Sequence, residues 1–174
     1  VLEDEKLIDT IKDCLITYSI GHSVLLDGQV ATGCGVTIGD NTIICSGSIL
    51  YSFVSVGRQC MLGVNTDVSR WSHIGNNVKI GNHVIIGRGC VIEDNVTICD
   101  SVHISDNVYI GKGTVVGEYG SICNNAHISD FCHIGPAGVV MPAANIKSGT
   151  TIPDRSCASD NEHAALLPPS QYIN

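Results

Sequence analysis

The sequence predicts an all-β chain wound as a solenoid of short strands and turns, and two observations carry that prediction. From Ile20 to Ile152 every sixth residue is aliphatic apart from Thr32, a register held over twenty-three positions. Two residues before most of these comes a small or β-branched side chain, as at Val36, Cys60, Ser72, Val84, Cys90, Val108, Thr114 and Cys132. A helix repeats near 3.6 residues and a strand near 2, so neither alone sustains a period of six; a short strand plus a turn, used repeatedly, does. Residues two apart on a strand share a face, so both members of each pair point inward and the residue between them points out.

Taken in order, residues 1–19 are expected to form an N-terminal capping helix. Leu7, Ile8, Ile11 and Leu15 recur at helical spacing, and Glu3, Asp4 and Glu5 sit where the helix dipole favours negative charge. Such an apolar stripe covers the open end of a solenoid, which otherwise exposes both core and strand edge. Residues 20–153 carry the repeats, loosely around Val24, Leu26 and Val30 and strictly from Val36. Between them lie turn residues such as Gly75-Asn76-Asn77, Ser105-Asp106-Asn107 and Gly111-Lys112-Gly113, which tolerate the positive φ of a sharp corner. No insertion breaks the hexads between Val36 and Ile152. After Pro153 the pattern stops, and residues 154–174, with Pro168-Pro169, read as an irregular tail. A chain that starts at Val1 and not Met reads as a trimmed fragment, with room for a domain upstream.

A length of 174 residues suits one domain. The net charge of −8, with no basic patch, argues against nucleic acid as a partner. No run is long and apolar enough to cross a membrane, and no signal-peptide pattern is present, so no membrane partner is expected. Nine cysteines do not amount to a disulfide framework, because Cys60, Cys90 and Cys132 fall in the small inward position, where a thiol packs as a compact hydrophobe. There is no CxxC to hold zinc. Reduced structural cysteines point to a cytoplasmic setting.

Runs such as Val78-Lys79-Ile80-Gly81-Asn82-His83-Val84-Ile85-Ile86-Gly87 resemble the hexapeptide-repeat acyltransferase superfamily, and the resemblance covers most of the chain. It implies a left-handed parallel β-helix of triangular section, although parallel crossovers are generally right-handed. Three hexads then make one coil, about seven coils in all at the usual strand spacing. Steps of eighteen sort the outward residues into three faces: one carries His73, Tyr109 and His127, the second Ile43, Met61, Lys79 and His133, the third Ile49, Ile85 and His103. The outward aliphatics point to subunit packing, and the resemblance implies a homotrimer.

For function, the resemblance implies transfer of an acetyl group from acetyl-CoA to a small-molecule acceptor, a sugar or small amine or hydroxyl, held between subunits, with histidine as general base. The stretch Asn124-Asn125-Ala126-His127-Ile128-Ser129-Asp130-Phe131-Cys132-His133-Ile134 is similar to the catalytic segment of bacterial sugar acetyltransferases of the sialic-acid and nucleotide-amino-sugar type. Here Asn124 stands where that family has its histidine base, and Asn125 where it has the acidic partner. An amide is no base near neutral pH. The catalytic candidates are therefore His133, which corresponds to the family's second histidine near the acetyl donor, and His127, displaced by half a repeat onto an outward position. Backbone amides at glycine corners, Gly135 among them, would bind the donor. Lys79, Arg88 and Lys112 would hold its pyrophosphate, or else are solvated corner residues. No metal is expected, since no two histidines stand eighteen apart. The competing reading is a catalytically silent scaffold, assembly or regulatory module. Ser48-Ile49-Leu50-Tyr51-Ser52 is mildly similar to the β-helical tails of sugar nucleotidyltransferases.

Overall fold

Strand pairing follows the period found in the sequence. In a computed structural model, which describes residues 19–159 and the strand Ala164–Leu166, the chain is a left-handed parallel β-helix with three sheets around one core. The first sheet begins at Ser19–Ile20 and takes a strand every eighteen residues as far as Asn145–Ile146. The second runs likewise from Leu25–Leu26 to Thr151–Ile152, and the third from Ala31–Thr32 to Val139–Val140 and on to Ser156–Ala158. His73 lies opposite Val91 and Ile74 opposite Ile92, so equivalent residues stack from rung to rung. Apart from Ser19, which is already in the first strand, the capping helix expected over residues 1–19 lies outside the described residues.

Eight parallel strands in each sheet make eight rungs, one more than the seven or so expected. The difference lies beyond Pro153, where Cys157 pairs with Val139 and so completes the eighth rung of the third sheet. Ala164–Leu166 then folds back antiparallel on that strand. The stretch read as an irregular tail thus contains two strands. At the ~4.8 Å spacing of neighbouring strands, eight rungs stand roughly 35–40 Å tall.

The aliphatic ladder is the core. Ile44, Leu50, Leu62, Ile74, Ile86, Ile92 and their successors to Ile152 are fully or almost fully buried. The loose start is visible too, for Ile20 and Leu26 are exposed while Val36 is closed in. The second inward position carries a hydrogen-bonding device that the pattern does not display. Ser72 Oγ donates to the Gly87 carbonyl (2.8 Å) and accepts from the Cys90 N–H (3.1 Å), and on the next rung Cys90 Sγ donates to the Ser105 carbonyl (3.0 Å). Cys60 and Cys132 do the same with the carbonyls of Gly75 and Lys147. These thiols are hydrogen-bond donors in a buried column, more than compact hydrophobes. Among the described residues seven cysteines are free, whereas Cys34 is disulfide-bonded, and there the expectation of reduced cysteines fails.

Glycines at the strand ends allow the rungs to close up. A Cβ on Gly75 would fall 2.6–2.8 Å from Asp94 and the backbone beneath it, a distance no side chain can accept.

Two outcomes follow from this packing. Ile92→Ala should cost about 2–5 kcal/mol in urea unfolding, while His103→Ala, on the exposed side of its strand, should shift stability by less than about 0.5 kcal/mol. Burial, the largest influence, raises the thiol pKa of Cys60, Cys90 and Cys132. Iodoacetamide at neutral pH should therefore leave all three unmodified in the folded protein and label them in denaturant, as read by mass spectrometry.

Candidate functional site

Each corner of the prism is a two-residue turn, and the two positions have different jobs. The second turn residue takes positive φ, as at Asn77 (54°), Asn95 (61°) and Asn107 (58°), where an Asn side chain is comfortable. The first presents a side-chain oxygen to the rung before it. Asp94 Oδ1 accepts the Asn76 N–H at 2.7 Å, Asp100 Oδ1 that of Asn82 at 2.7 Å, and Asp106 Oδ1 that of Arg88 at 2.8 Å. This ladder of side-chain acceptors climbs the corners and satisfies N–H groups that the sheets leave over.

Asn124 belongs to this ladder. Its Oδ1 accepts the Asp106 N–H at 3.0 Å, and Asn125 Oδ1 accepts from Asn107 Nδ2 at 3.4 Å. The two residues standing where a base and its acidic partner were sought are thus structural members of a corner. His127 lies on the first sheet, exposed, its ring stacked on Tyr109 at 4.5 Å between centroids and 7° between planes. The Tyr109 hydroxyl in turn donates to Glu93 Oε1 at 3.4 Å. Burial, and then the negative charges of Glu93 and Asp130, push the Tyr109 phenol above its ordinary pKa. His133 lies on the second sheet, exposed between Val115 and Thr151. A single chain therefore places His127 and His133 on different faces of the prism and does not bring them together.

The proposed donor-binding residues are dispersed as well. The Gly135 N–H is already given to the Ile152 carbonyl at 2.8 Å. Lys79 projects from the second sheet, Arg88 stands at the corner between the third and first sheets, and Lys112 at the corner between the first and second. Arg88 is tied to Asp106 by Nη2 (3.0 Å) and Nε (3.2 Å), both to Oδ2. Among the outward aliphatics, Met61 and Ile85 are exposed, while Ile43 and Ile49 are half-buried.

Sequence reasoning passed over the aromatic corner. Phe53 and Trp71, eighteen apart, occupy second-turn positions with φ of 64° and 61°, and their rings stack with centroids 6.4 Å apart and planes within 5°. A cavity of about 370 Å³ opens beside them, lined by Tyr51, Ser69, Arg70, Trp71 and Arg88. The signal was present as two aromatics at the rung spacing in a column otherwise held by Gly, Asn and Ala.

A three-sided prism built from eighteen-residue rungs, with an inward aliphatic at every sixth position, defines a hexapeptide-repeat β-helix protein. Two solved structures share the fold. The UDP-N-acetylglucosamine acyltransferase from Campylobacter jejuni is similar at a TM-score of 0.57 and 18% identity, over 84% of this chain and 68% of that one. The UDP-N-acetylglucosamine acyltransferase of Francisella novicida is similar at 0.54 and 19%, over 82% of this chain and 59% of that one. At such identities the likeness is one of fold. No curated protein matches the chain significantly. The family described as the GMPPB C-terminal domain matches residues 56–164, more than half of the sequence, and the chain belongs to that family.

The corner ladder carries a pH dependence. The Asn76 N–H first of all holds the Asp94 carboxyl below its ordinary pKa, and the Arg88 N–H does the same for Asp106. A carboxylate lowered on folding stabilises the protein above the ordinary carboxylate range, and that contribution is lost as pH falls through the range to the lower folded value. The melting temperature should therefore drop as pH is taken below about 4. Asp94→Asn, which keeps an acceptor oxygen just as Asn76 does, should show a shallower acid decline in a melting series against pH.

Proposed function

We propose that the chain is a β-helical assembly and regulatory module, trimeric through its flat faces, and not a self-sufficient acyltransferase. The observation that supports this reading above all is Asn124, whose side-chain oxygen is committed to the Asp106 N–H at the position where an acyltransferase of this fold would carry its base. A group spent on the backbone, and unable to take a proton near neutral pH, does no general-base work. The family points the same way, since its description names a C-terminal domain, the place a tail occupies on a larger protein. The likeness of Ser48-Ile49-Leu50-Tyr51-Ser52 to nucleotidyltransferase tails agrees with it. Met61 and Ile85, aliphatic and exposed on two different sheets, supply apolar surface for association into a trimer.

A second reading rests on His127 and His133, two exposed imidazoles on neighbouring faces near one end of the prism. In a trimer, a face of one subunit meets a face of the next, and acetyl transfer from acetyl-CoA to a sugar or amine would then use one of these histidines as base.

Light scattering and thermal shift separate the two. The module predicts a trimer whose melting temperature is unmoved by acetyl-CoA, whereas a ligand present at 100 times its Kd stabilises by about 2.7 kcal/mol. Acetyl-CoA-dependent turnover that disappears in His127→Ala or His133→Ala would establish the second reading and remove the first.

A further inference from the structure

The aromatic corner is built as a platform with one place unfilled. Going up the corner between the third and first sheets, the second-turn residues are Gly35, Phe53, Trp71, Gly89 and Asn107. The Phe53 ring lies against Gly35, where a Cβ would come within 2.7 Å of it, and Trp71 stacks on Phe53. Above Trp71 the column holds no third ring, because Gly89 follows, and the Asn107 amide leans back over it, its Oδ1 2.8 Å from where a Gly89 Cβ would stand. Between Trp71 and the Asn107 side chain lies a second cavity, of about 190 Å³, bounded by Trp71, Arg88, Gly89, Asp106 and Asn107. Trp71 and Arg88 also line the larger cavity of about 370 Å³, so the two hollows adjoin along the indole and the guanidinium.

Holding aromatics here is costly. A bulky side chain at positive φ is strained, and the Trp71 side chain remains 61% exposed, so neither backbone geometry nor core packing accounts for it. The electrostatics are unusual as well. In a chain of net charge −8, this corner carries arginines on two successive rungs. Arg88 is neutralised and held in place by Asp106, while the guanidinium of Arg70 has no acidic partner among the described residues.

We propose that this corner is a nucleotide-binding site, which takes a purine nucleoside diphosphate. The purine ring stacks on Trp71 in the hollow between the indole and the Asn107 amide, which no ring occupies because residue 89 is glycine, and so continues the ladder of Phe53 and Trp71 as a third ring. The Asp106 carboxylate and the Asn107 amide lie at the edge of that place, where they meet the hydrogen-bonding groups of the base. The phosphates lie in the larger hollow on Arg70, with the Tyr51 and Ser69 side chains on its rim. In the smaller hollow Arg88 and Asp106 neutralise each other and offer the phosphates no net positive charge, which fixes the orientation of the ligand. Stacking on an aromatic face with phosphates on arginine is the cheapest way to bind a nucleotide without a deep cleft. The site requires neither turnover nor a trimer, so it stands or falls separately from the function proposed above.

Trp71 is the single tryptophan of the chain and reports its own site. In the full chain, excited at the red edge of its absorption, GDP or ADP should quench it saturably with a Kd below about 1 mM. Arg70→Ala should weaken that binding at least about tenfold, and Gly89→Asn, with a residue the neighbouring rung accepts at the same φ, should abolish the quench by filling the place. Thermal melts show whether each variant is folded, and Arg70→Ala, at an exposed cation, decides the matter if Gly89→Asn is not. Inorganic pyrophosphate should compete weakly and leave the fluorescence unquenched. No saturable quench by either nucleotide overturns the proposal, and so does pyrophosphate binding as tightly as GDP, because the ring would then contribute nothing. A blue shift of Trp71 that grows with protein concentration would also overturn it, by showing that a second copy of the chain covers the corner.

Discussion

Rungs of this molecule are tied to one another by backbone hydrogen bonds that reach to the next coil, as from the His73 N–H to the Cys90 carbonyl (2.8 Å) and from the Gly75 N–H to the Ile92 carbonyl (2.7 Å). Everything else answers to that spacing. Strands of two residues have no stability of their own, and they persist because each is paired above and below in a single register. A register that never slips puts the same kind of side chain in the same place on each coil. The core is therefore a column of aliphatics, the strand ends are glycines wherever the rungs come too close for a Cβ, and the corners repeat their turn. Stability is then built up by contacts between neighbouring rungs.

The same spacing explains what the buried polar groups do. At the second inward position a side chain both donates and accepts along the stack, as Ser48 Oγ does, donating to the Gly63 carbonyl (2.9 Å) and accepting the Thr66 N–H (3.1 Å). Among the described residues, no buried side-chain nitrogen or oxygen is left without a partner. A polar atom inside an aliphatic core is costly unless satisfied, and here the column satisfies each one from the rung next to it. The Asp and Asn side chains of the corners continue that logic at the surface, where water would otherwise compete for the N–H groups.

The core was legible in the sequence because a period of six has only one economical realisation, and the strands from Thr37 to Ile152 lie where the aliphatics put them. The eighth rung was hidden since Ser156 and Ala158 are not a hexad of the earlier kind: Ala158 takes the place of an isoleucine at the end of the stack. The corners were half legible. Their Gly, Asn and Asp content announced turns, but sequence alone does not separate an Asp that accepts a hydrogen bond from an Asn that adopts positive φ, and that distinction decides what Asn124 is. His127 and His133 were correctly assigned to outward positions. That they face away from each other follows from the triangle, which sends consecutive hexads to different sheets.

A prism of fixed rungs is poor at making clefts, and this constrains where chemistry takes place on it. Its faces are flat and its corners are occupied by a ladder that cannot be removed without releasing backbone N–H groups. Recognition must then arise either where two copies meet or where one rung departs from its neighbours. The corner at Phe53, Trp71 and Gly89 is such a departure: the backbone keeps its turn throughout, while the side chains pass from two stacked rings to none. The scaffold supplies the spacing, which equals the thickness of one strand and exceeds that of an aromatic ring by little more than 1 Å. On the proposal made above, an incoming ring would meet a platform already held by the turns of Phe53 and Trp71, and preorganisation of that sort reduces the ordering cost that usually weakens shallow sites.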